Sequence, residues 1–192
     1  MSSATEGEWK EAFAQALEYV SAVGGLAIHC LAGMVPQDKR REAEAVFVDN
    51  LKRAADQAAA KNIKLYIEPI NPRDMPGYLL TTQADAHAIR TEVGARNLKV
   101  QMDCYHAQIV EGDLTEKLRR YLPHIGHVQI AGVPGRHEPD VGEVNYAWIF
   151  KVLDEAKYEG YVGCEYRPAT GTLAGLGWLY RLLDRPPRAG TS

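Results

Sequence analysis

The chain has 192 residues, of which 46% are hydrophobic and 24% are charged, and its formal net charge at pH 7 is −3. This length is enough for one compact domain with a sizeable core, which we expect over residues 1–185, followed by a flexible tail over 186–192. The mild acidity and the lack of a Lys/Arg-rich block argue against nucleic-acid binding, and no apolar run approaches the ~20 residues of a membrane span.

The N-terminus and the cysteines indicate where the protein resides. The opening MSSATEGEWK has no basic start followed by an apolar run, so we expect no secretory signal. The cysteines are odd in number and lie in apolar, strand-like segments: Cys30, Cys104 and Cys164. This pattern predicts reduced, buried thiols in a cytoplasmic protein rather than disulfides.

Helical patterns alternate along the chain with short apolar runs. The first helix begins with a T-x-x-E capping box at Thr5 and Glu8, and it ends at Gly24 and Gly25. Further helices are predicted over about 37–60, 82–93, 113–122, 146–157 and 173–183. Strands are predicted in LAIHCLAG (26–33), IKLYIEPI (63–70), LKVQMDCYH (98–106), HIGHVQIAG (124–132) and YVGCEYRP (161–168). Since a helix follows each strand, right-handed crossovers would place all five strands in one parallel sheet.

The alternation within each strand aims polar side chains at a common point. One face of each strand is apolar, and the opposite face of four strands ends in a polar residue near the carboxyl end: Glu68, Asp103, Gln129 and Glu165. Barrel enzymes place their catalytic groups at these carboxyl ends. Each of the four alone could be a solvated strand-end residue, but their common register on successive strands favours a site.

The chemistry of these four side chains indicates a metal. Glu165 is predicted to be buried in an apolar strand, where a lone carboxylate costs several kcal/mol unless it is paired, protonated or bound to a metal. Three carboxylates and an amide oxygen form an all-oxygen set that suits Mg²⁺ or Mn²⁺, whereas zinc would favour more His or Cys.

Four segments carry a family resemblance: YIEPIN, QMDCYHAQIVEGDLT, HVQIAGVPGRHEPDVGEVNY and GYVGCEYRPATGTLAGLGWL. They resemble the hydroxypyruvate isomerase family of the xylose isomerase-like TIM barrels, which includes the 2-oxo-tetronate isomerases, and the match runs from about Glu8 to Leu179. The resemblance implies an α/β fold of the (β/α)8-barrel type. Members carry about three more β/α units before the first helix found here, so we expect an incomplete barrel of about five C-terminal units.

The resemblance also implies an activity and its residues. Glu68 and Glu165 would be the catalytic acid/base pair, and Glu68, Asp103, Gln129 and Glu165 would bind the divalent metal. The expected reaction is aldose–ketose isomerisation of a small hydroxy-oxo acid through an enediolate, of the hydroxypyruvate to tartronate semialdehyde type. The alternatives are a 2-oxo-tetronate or sugar isomerase or epimerase, an apurinic endonuclease of the same superfold, and a non-catalytic barrel fragment.

Substrate-binding candidates lie in the loops and on the first strand. The resemblance implies that His106, three residues after Asp103, contacts substrate oxygens. Arg136 could pair with the substrate carboxylate, and its loop over 132–145 is long enough to predict a functional lid. His29 points inward by alternation and either reaches the substrate or fills the barrel interior, and Asn71 either binds substrate or caps a turn.

Other residues of these segments are assigned more simply. His137 and Glu138 share the lid loop, where either a structural or a substrate role is open. Tyr105, Trp148 and Trp178 are expected in the core.

The two end strands predict an association. An open five-stranded sheet leaves unpaired backbone groups along LAIHCLAG and YVGCEYRP. We therefore expect homo-oligomerisation through these edges, or marginal stability. The expected partners are a small-molecule substrate and further copies of the chain, with no nucleic acid and no membrane.

Overall fold

The computed structural model describes residues 6–182 and contains one parallel sheet. Its strands pair in chain order: β1 (Ala27–His29), β2 (Lys64–Ile67), β3 (Leu98–Asp103), β4 (Ile125–Ile130) and β5 (Val162–Cys164). Parallel neighbours in chain order require a crossover between each pair of strands, and the helices supply it. The result is half of a barrel with β1 and β5 as its edges, which confirms the predicted incomplete barrel.

Seven helices are found in the described part of the chain: α1 (Glu6–Ala22), α2 (Arg40–Ala59), α3 (Gln83–Val93), α4 (Cys104–Val110), α5 (Leu114–Tyr121), α6 (Tyr146–Glu155) and α7 (Gly177–Leu182). Short 3-10 turns at Gln37–Lys39, Leu122–His124 and Ala174–Leu176 adjoin α2, α5 and α7. The predicted capping residue Thr5, the predicted end of the last helix and the 186–192 tail lie outside the described residues. Within 6–182, no helix is long and apolar enough to cross a membrane.

Helix α4 was not predicted, because its residues were assigned to the third strand. That strand ends at Asp103, whose side chain accepts a hydrogen bond from the backbone N–H of Tyr105. An aspartate that caps a helix in this way satisfies one of the first free N–H groups, and it starts the helix although CYH would also suit a strand.

The apolar faces of the strands form the core with the helices, as the alternation predicts. Six strand side chains on this face are fully buried: Leu65, Ile67, Val100, Met102, Val128 and Ile130. The predicted stripes of α1 and α2 pack against Leu65, Ile67 and Val100, with Phe13, Leu17, Phe47 and Leu51 among the buried residues. Residues of α5 and α6, including Leu118, Ile149 and Val152, pack against Met102, Val128 and Ile130. Each such side chain contributes about 1.5–3 kcal/mol through burial, so this layer fixes which strand face is left to line the barrel interior.

A bulge between β3 and β4 sets the register at the carboxyl ends of these strands. Val100 pairs with Ile125, but the next residue, Gln101, pairs with His127, so Gly126 is an extra residue in β4. A Cβ on Gly126 would collide with the ring of Tyr66, which explains the glycine. Beyond the bulge, Asp103 pairs with Gln129.

The solvent exposure of three side chains differs from its prediction. Cys164 in β5 is exposed and Cys30 is only partly buried, so among the predicted buried thiols only Cys104 is buried. Trp148 is 42% exposed rather than in the core, because α6 turns it outward, where its indole N–H donates to Thr115. The reason at β5 is the open edge: among residues 6–182 no further strand pairs with its outer side.

Candidate active site

Three ionisable side chains meet at the carboxyl ends of β2 and β3. Glu68 follows the last residue of β2, Asp103 ends β3, and His106 lies in the first turn of α4. Each offers a ligand atom, and these atoms all lie within 4.8 Å of one another. Their exposures are 4%, 0% and 4%, so the cluster is almost sealed from water.

Two carboxylate oxygens in this cluster have no hydrogen-bond partner in the described structure. Oδ1 of Asp103 accepts the 2.8 Å capping bond from Tyr105, but Oδ2 is buried without a hydrogen-bond donor. Oε1 of Glu68 is buried and unpaired as well. Since buried polar groups in native structures are nearly always paired, two orphaned oxygens side by side indicate room for a cation.

Burial controls the protonation of the cluster. Burial and then the adjacent Asp103 carboxyl raise the pKa of Glu68 to about 8. Burial likewise raises the pKa of Asp103 to about 7, partly offset by its capping bond and by Arg136. The pKa of His106 is lowered to about 4 by burial and by the Arg136 guanidinium, so this imidazole is neutral at pH 7.

Gln129 reaches the site through a neighbour that the sequence analysis missed. Its Oε1 accepts a 2.6 Å hydrogen bond from Nε2 of Gln101, whose side chain also hydrogen-bonds Glu68. Gln101 shares the inward face of β3 with Asp103, so the alternating pattern of this strand could have identified it from the sequence.

Glu165 differs most from its prediction. Its side chain is 54% exposed rather than buried, because it follows β5 at the open edge. It lies outside the group of mutually close ligand atoms formed by Glu68, Asp103 and His106. Its Oε2 is 3.0 Å from Nη2 of Arg136, so a cationic side chain neutralises it in this structure.

Arg136 links the two halves of the site. The same Nη2 that meets Glu165 lies 3.6 Å from Oδ2 of Asp103, and the guanidinium stacks over the Tyr105 ring at 4.9 Å. The Arg136 backbone has a left-handed φ of 57°, and its carbonyl accepts from the N–H of Arg167. The long loop over 132–145 therefore carries its arginine into the site, while its closing as a lid stays a prediction.

A buried network behind the cluster orients His106. Oδ1 of Asn71 accepts from the N–H of Asp74, and Nδ2 of Asn71 is 2.6 Å from Nδ1 of His106. The Asp74 carboxylate also accepts from the Tyr105 hydroxyl at 2.8 Å. Asn71 thus caps a turn and holds the imidazole, and Tyr105 is buried as predicted. No feature of the sequence singles out Asp74.

The remaining candidates lie at the rim. Nε2 of His29 is 3.5 Å from Oε2 of Glu68, so the inward direction predicted for His29 holds. His137 and Glu138 hydrogen-bond the backbone of Arg167 and Ala169, and they tie the loop to the segment after β5 rather than facing the cluster.

Comparisons with known proteins show what this chain resembles. A sequence profile of the xylose isomerase-like TIM barrel family matches residues 2–182. The chain is 55% identical over 181 residues to the 2-oxo-tetronate isomerase of Cupriavidus necator, covering 94% of this chain and 70% of that relative. It is 43% identical over 175 residues to the hydroxypyruvate isomerase of Escherichia coli, covering 91% and 68%. A crystal structure of AP endonuclease, family 2, from Brucella melitensis matches with a TM-score of 0.90 at 40% identity, covering 94% of this chain and 70% of that one.

Proposed function

Since the chain belongs to the xylose isomerase-like TIM barrel family, we propose that it is an isomerase that interconverts the aldose and ketose forms of a small hydroxy-oxo acid. The observation that carries this proposal is the buried meeting of Glu68, Asp103 and His106 with two unpaired carboxylate oxygens. The names of the relatives from Cupriavidus necator and Escherichia coli support hydroxypyruvate or a 2-oxo-tetronate as the substrate class.

A hard divalent cation, Mg²⁺ or Mn²⁺, fits these donors. Glu68 and Asp103 would hold it through their unpaired oxygens, and Gln129 and Glu165 would complete the oxygen set from the adjacent strands. Bound there, the cation would supply a Lewis acid that favours negative charge on the substrate oxygens. Gln129 is engaged by Gln101 and Glu165 by Arg136, so both would exchange these partners for the cation.

The protein side chains account for the proton transfers. Isomerisation takes a proton from the carbon that bears the hydroxyl and returns one to the adjacent carbonyl carbon, while the hydroxyl proton passes to the former carbonyl oxygen; an enediolate lies between the two carbon transfers. Glu68 and Glu165 follow β2 and β5, which are separated by two strands of the sheet, so one carboxylate would remove the carbon-bound proton while the other carboxyl would donate one. Positioned proton transfer of this kind contributes about 10²–10⁴-fold.

Arg136 and His106 would hold the substrate between these groups. A guanidinium forms paired hydrogen bonds with a carboxylate, so Arg136 would release Glu165 and bind the substrate carboxylate. The neutral imidazole of His106, fixed by Asn71, presents Nε2 to the cluster and would hydrogen-bond a substrate oxygen.

The free thiols of Cys30, Cys104 and Cys164 support a reducing, cytoplasmic location.

An isomerisation assay with hydroxypyruvate and a 2-oxo-tetronate, with and without Mn²⁺, tests the proposal. Glu68→Gln and Glu165→Gln should each abolish turnover, because an amide neither accepts nor donates the transferred proton. Glu44→Gln, on the exposed face of α2, is the matched control and should retain it. No turnover of either substrate, or full turnover in either site variant, contradicts the assignment.

Apurinic endonuclease activity is the competing interpretation, and the name of the Brucella melitensis structure is the reason to test it. Such an enzyme needs a basic surface for DNA, whereas this chain has a net charge of −3. Cleavage of an abasic-site duplex by the chain with Mn²⁺ or Zn²⁺, without isomerisation, would favour this alternative.

A further inference from the structure

A groove on the outside of the half-barrel lies far from the candidate active site in the fold. It runs between α3 and the carboxyl end of α5 with the 3-10 turn that follows, and its volume is about 690 Å³. His124, one of its lining residues, directly precedes β4, so the groove is at the amino end of this strand, whereas Gln129 belongs to the carboxyl end.

Unbalanced positive charge lines this groove. Arg90, Arg120 and His124 all face it, and among residues 6–182 none of them forms an ion pair with an acidic side chain. Nε of Arg90 is buried without a hydrogen-bond partner. Glu92 is the acidic residue in the lining, so at least two permanent cations face one carboxylate.

His87 is the buried polar group at the centre of this charge. It is 8% exposed and lines the groove, yet neither of its ring nitrogens has a hydrogen-bond partner in the described structure. Its ring stacks on Tyr121 with centroids 4.0 Å apart and planes 6° from parallel. Burial, followed by His124, Arg90 and Arg120, lowers the pKa of His87 to about 4.

Two unpaired nitrogens in a nearly closed position need an explanation, since buried polar groups are almost always satisfied. A cation is excluded there by the arginines, and a neutral partner would leave their charge unbalanced. An oxyanion would meet both requirements. It accepts hydrogen bonds from guanidinium and imidazole N–H groups, and its negative charge balances the positive charge of the arginines.

We propose that the groove between α3 and α5 binds the phosphate group of a small phosphate monoester, held by Arg90, Arg120 and His87. The volume far exceeds that of a bare phosphate, so the body of the ligand has room in the same groove. The exposed part of the Tyr121 ring and the apolar Ala84 and Ala88 provide a surface for an aromatic or apolar body.

Phosphate and phenyl phosphate are the probes for this site, each compared with sodium chloride at equal ionic strength on the 192-residue chain. The readout is the NMR titration of the histidine ring protons, with the His87 signal assigned by its loss in His87→Gln. Phosphate should raise the pKa of His87, since a bound anion favours the imidazolium, and chloride should not. Phenyl phosphate should bind more tightly than phosphate because its ring contacts Tyr121.

Two neighbouring arginines on α5 provide a matched pair of variants. Arg120→Gln removes a charge that faces the groove, and Arg119→Gln removes the same charge from a side chain that pairs with Glu116 instead. Arg120→Gln should weaken phosphate binding roughly tenfold, while Arg119→Gln should change it less than twofold.

Three results would overturn the proposal: a His87 titration unchanged by phosphate, an equal response to chloride, or equal weakening by the two arginine variants. The last would mean that net charge alone attracts the anion. If His87→Gln does not fold, the binding constants of the two arginine variants, both at exposed positions, still decide the question.

Discussion

Replacing Glu68 by Gln should stabilise the metal-free chain although it removes the proposed catalytic carboxyl. Burial moves the pKa of Glu68 from 4.5 to about 8, so the folded chain holds this proton more strongly than the unfolded chain does. The stability that depends on the proton is complete below pH 4.5 and is lost as the pH rises through 8. At pH 7 the ionisable side chain therefore costs roughly 3 kcal/mol relative to a neutral one.

The amide of Gln at position 68 does not ionise, so the substitution removes this cost and adds a smaller one. Oε1 of Glu68 has no donor, so one polar atom of the new side chain would also be unpaired, at a cost of about 1 kcal/mol. The net gain is about 2 kcal/mol, which corresponds to a rise in the melting temperature of roughly 4–8 °C for a chain of this size. At pH 5, close to the unfolded pKa of 4.5, the ionisation cost falls to about 1 kcal/mol, so it no longer exceeds the cost of the unpaired amide atom and the gain should vanish.

Thermal unfolding in a chelating buffer at pH 5 and pH 8, followed by circular dichroism, measures this effect. Glu165→Gln is the control, since its carboxylate is 54% exposed and paired with Arg136, and it should show no gain at either pH. A Glu68→Gln variant less stable than the parent at pH 8, or a gain independent of pH, would refute the argument that burial raises this pKa.

Three further predictions concern the cation, the substrate and the two edge strands of the sheet, β1 and β5. Asp103→Ala should abolish Mn²⁺ binding measured by calorimetry, whereas Asp85→Ala on α3 should leave it unchanged; binding retained by Asp103→Ala would exclude the proposed ligands. Arg136→Gln should raise the KM for the hydroxy-oxo acid by roughly 10–100-fold, with partial rescue by Arg136→Lys, and an unchanged KM would remove Arg136 from substrate binding. The chain should form oligomers in size-exclusion chromatography with light scattering, and Tyr161→Lys and Leu31→Lys, at side chains 82% and 63% exposed along the edges, should reduce their size; a monomer with a high melting temperature would contradict this.

The strand pattern was sufficient to predict the sheet and the proximity of Glu68 and Asp103 in the candidate site. Alternation alone placed Leu65 and Ile67 in the core and Glu68 on the opposite face, because the side-chain period of two is a local property of the backbone. The same rule brought Asp103 beside Glu68, since neighbouring parallel strands end at the same side of the sheet.

What was missed depends on the surroundings of a residue rather than on its own strand. Cys164 and Glu165 have a local pattern that suits a buried strand, but β5 is the last strand of the described sheet, and both side chains are exposed there. Helix α4 begins where an aspartate cap outweighs the β-propensity of the residues after it. The contact of Asp74 with Tyr105 joins a loop to the first turn of α4, 31 residues apart in the chain, and a single sequence carries no sign of it.

The extra residue in β4 has a consequence for how this site could arise or be lost. Without Gly126 as a bulge, the pairing of Val100 with Ile125 would continue in step, and Asp103 would lie opposite the apolar Val128 instead of Gln129. A β4 that kept Gly126 but paired it in step with Gln101 would thus place a valine side chain, instead of the Gln129 amide, opposite Asp103 without any substitution at the candidate site. A Cβ at position 126 would collide with the Tyr66 ring, so this position favours glycine. The pairing of Asp103 with Gln129 at the carboxyl end of β4 therefore depends on a bulged glycine near the amino end of the same strand.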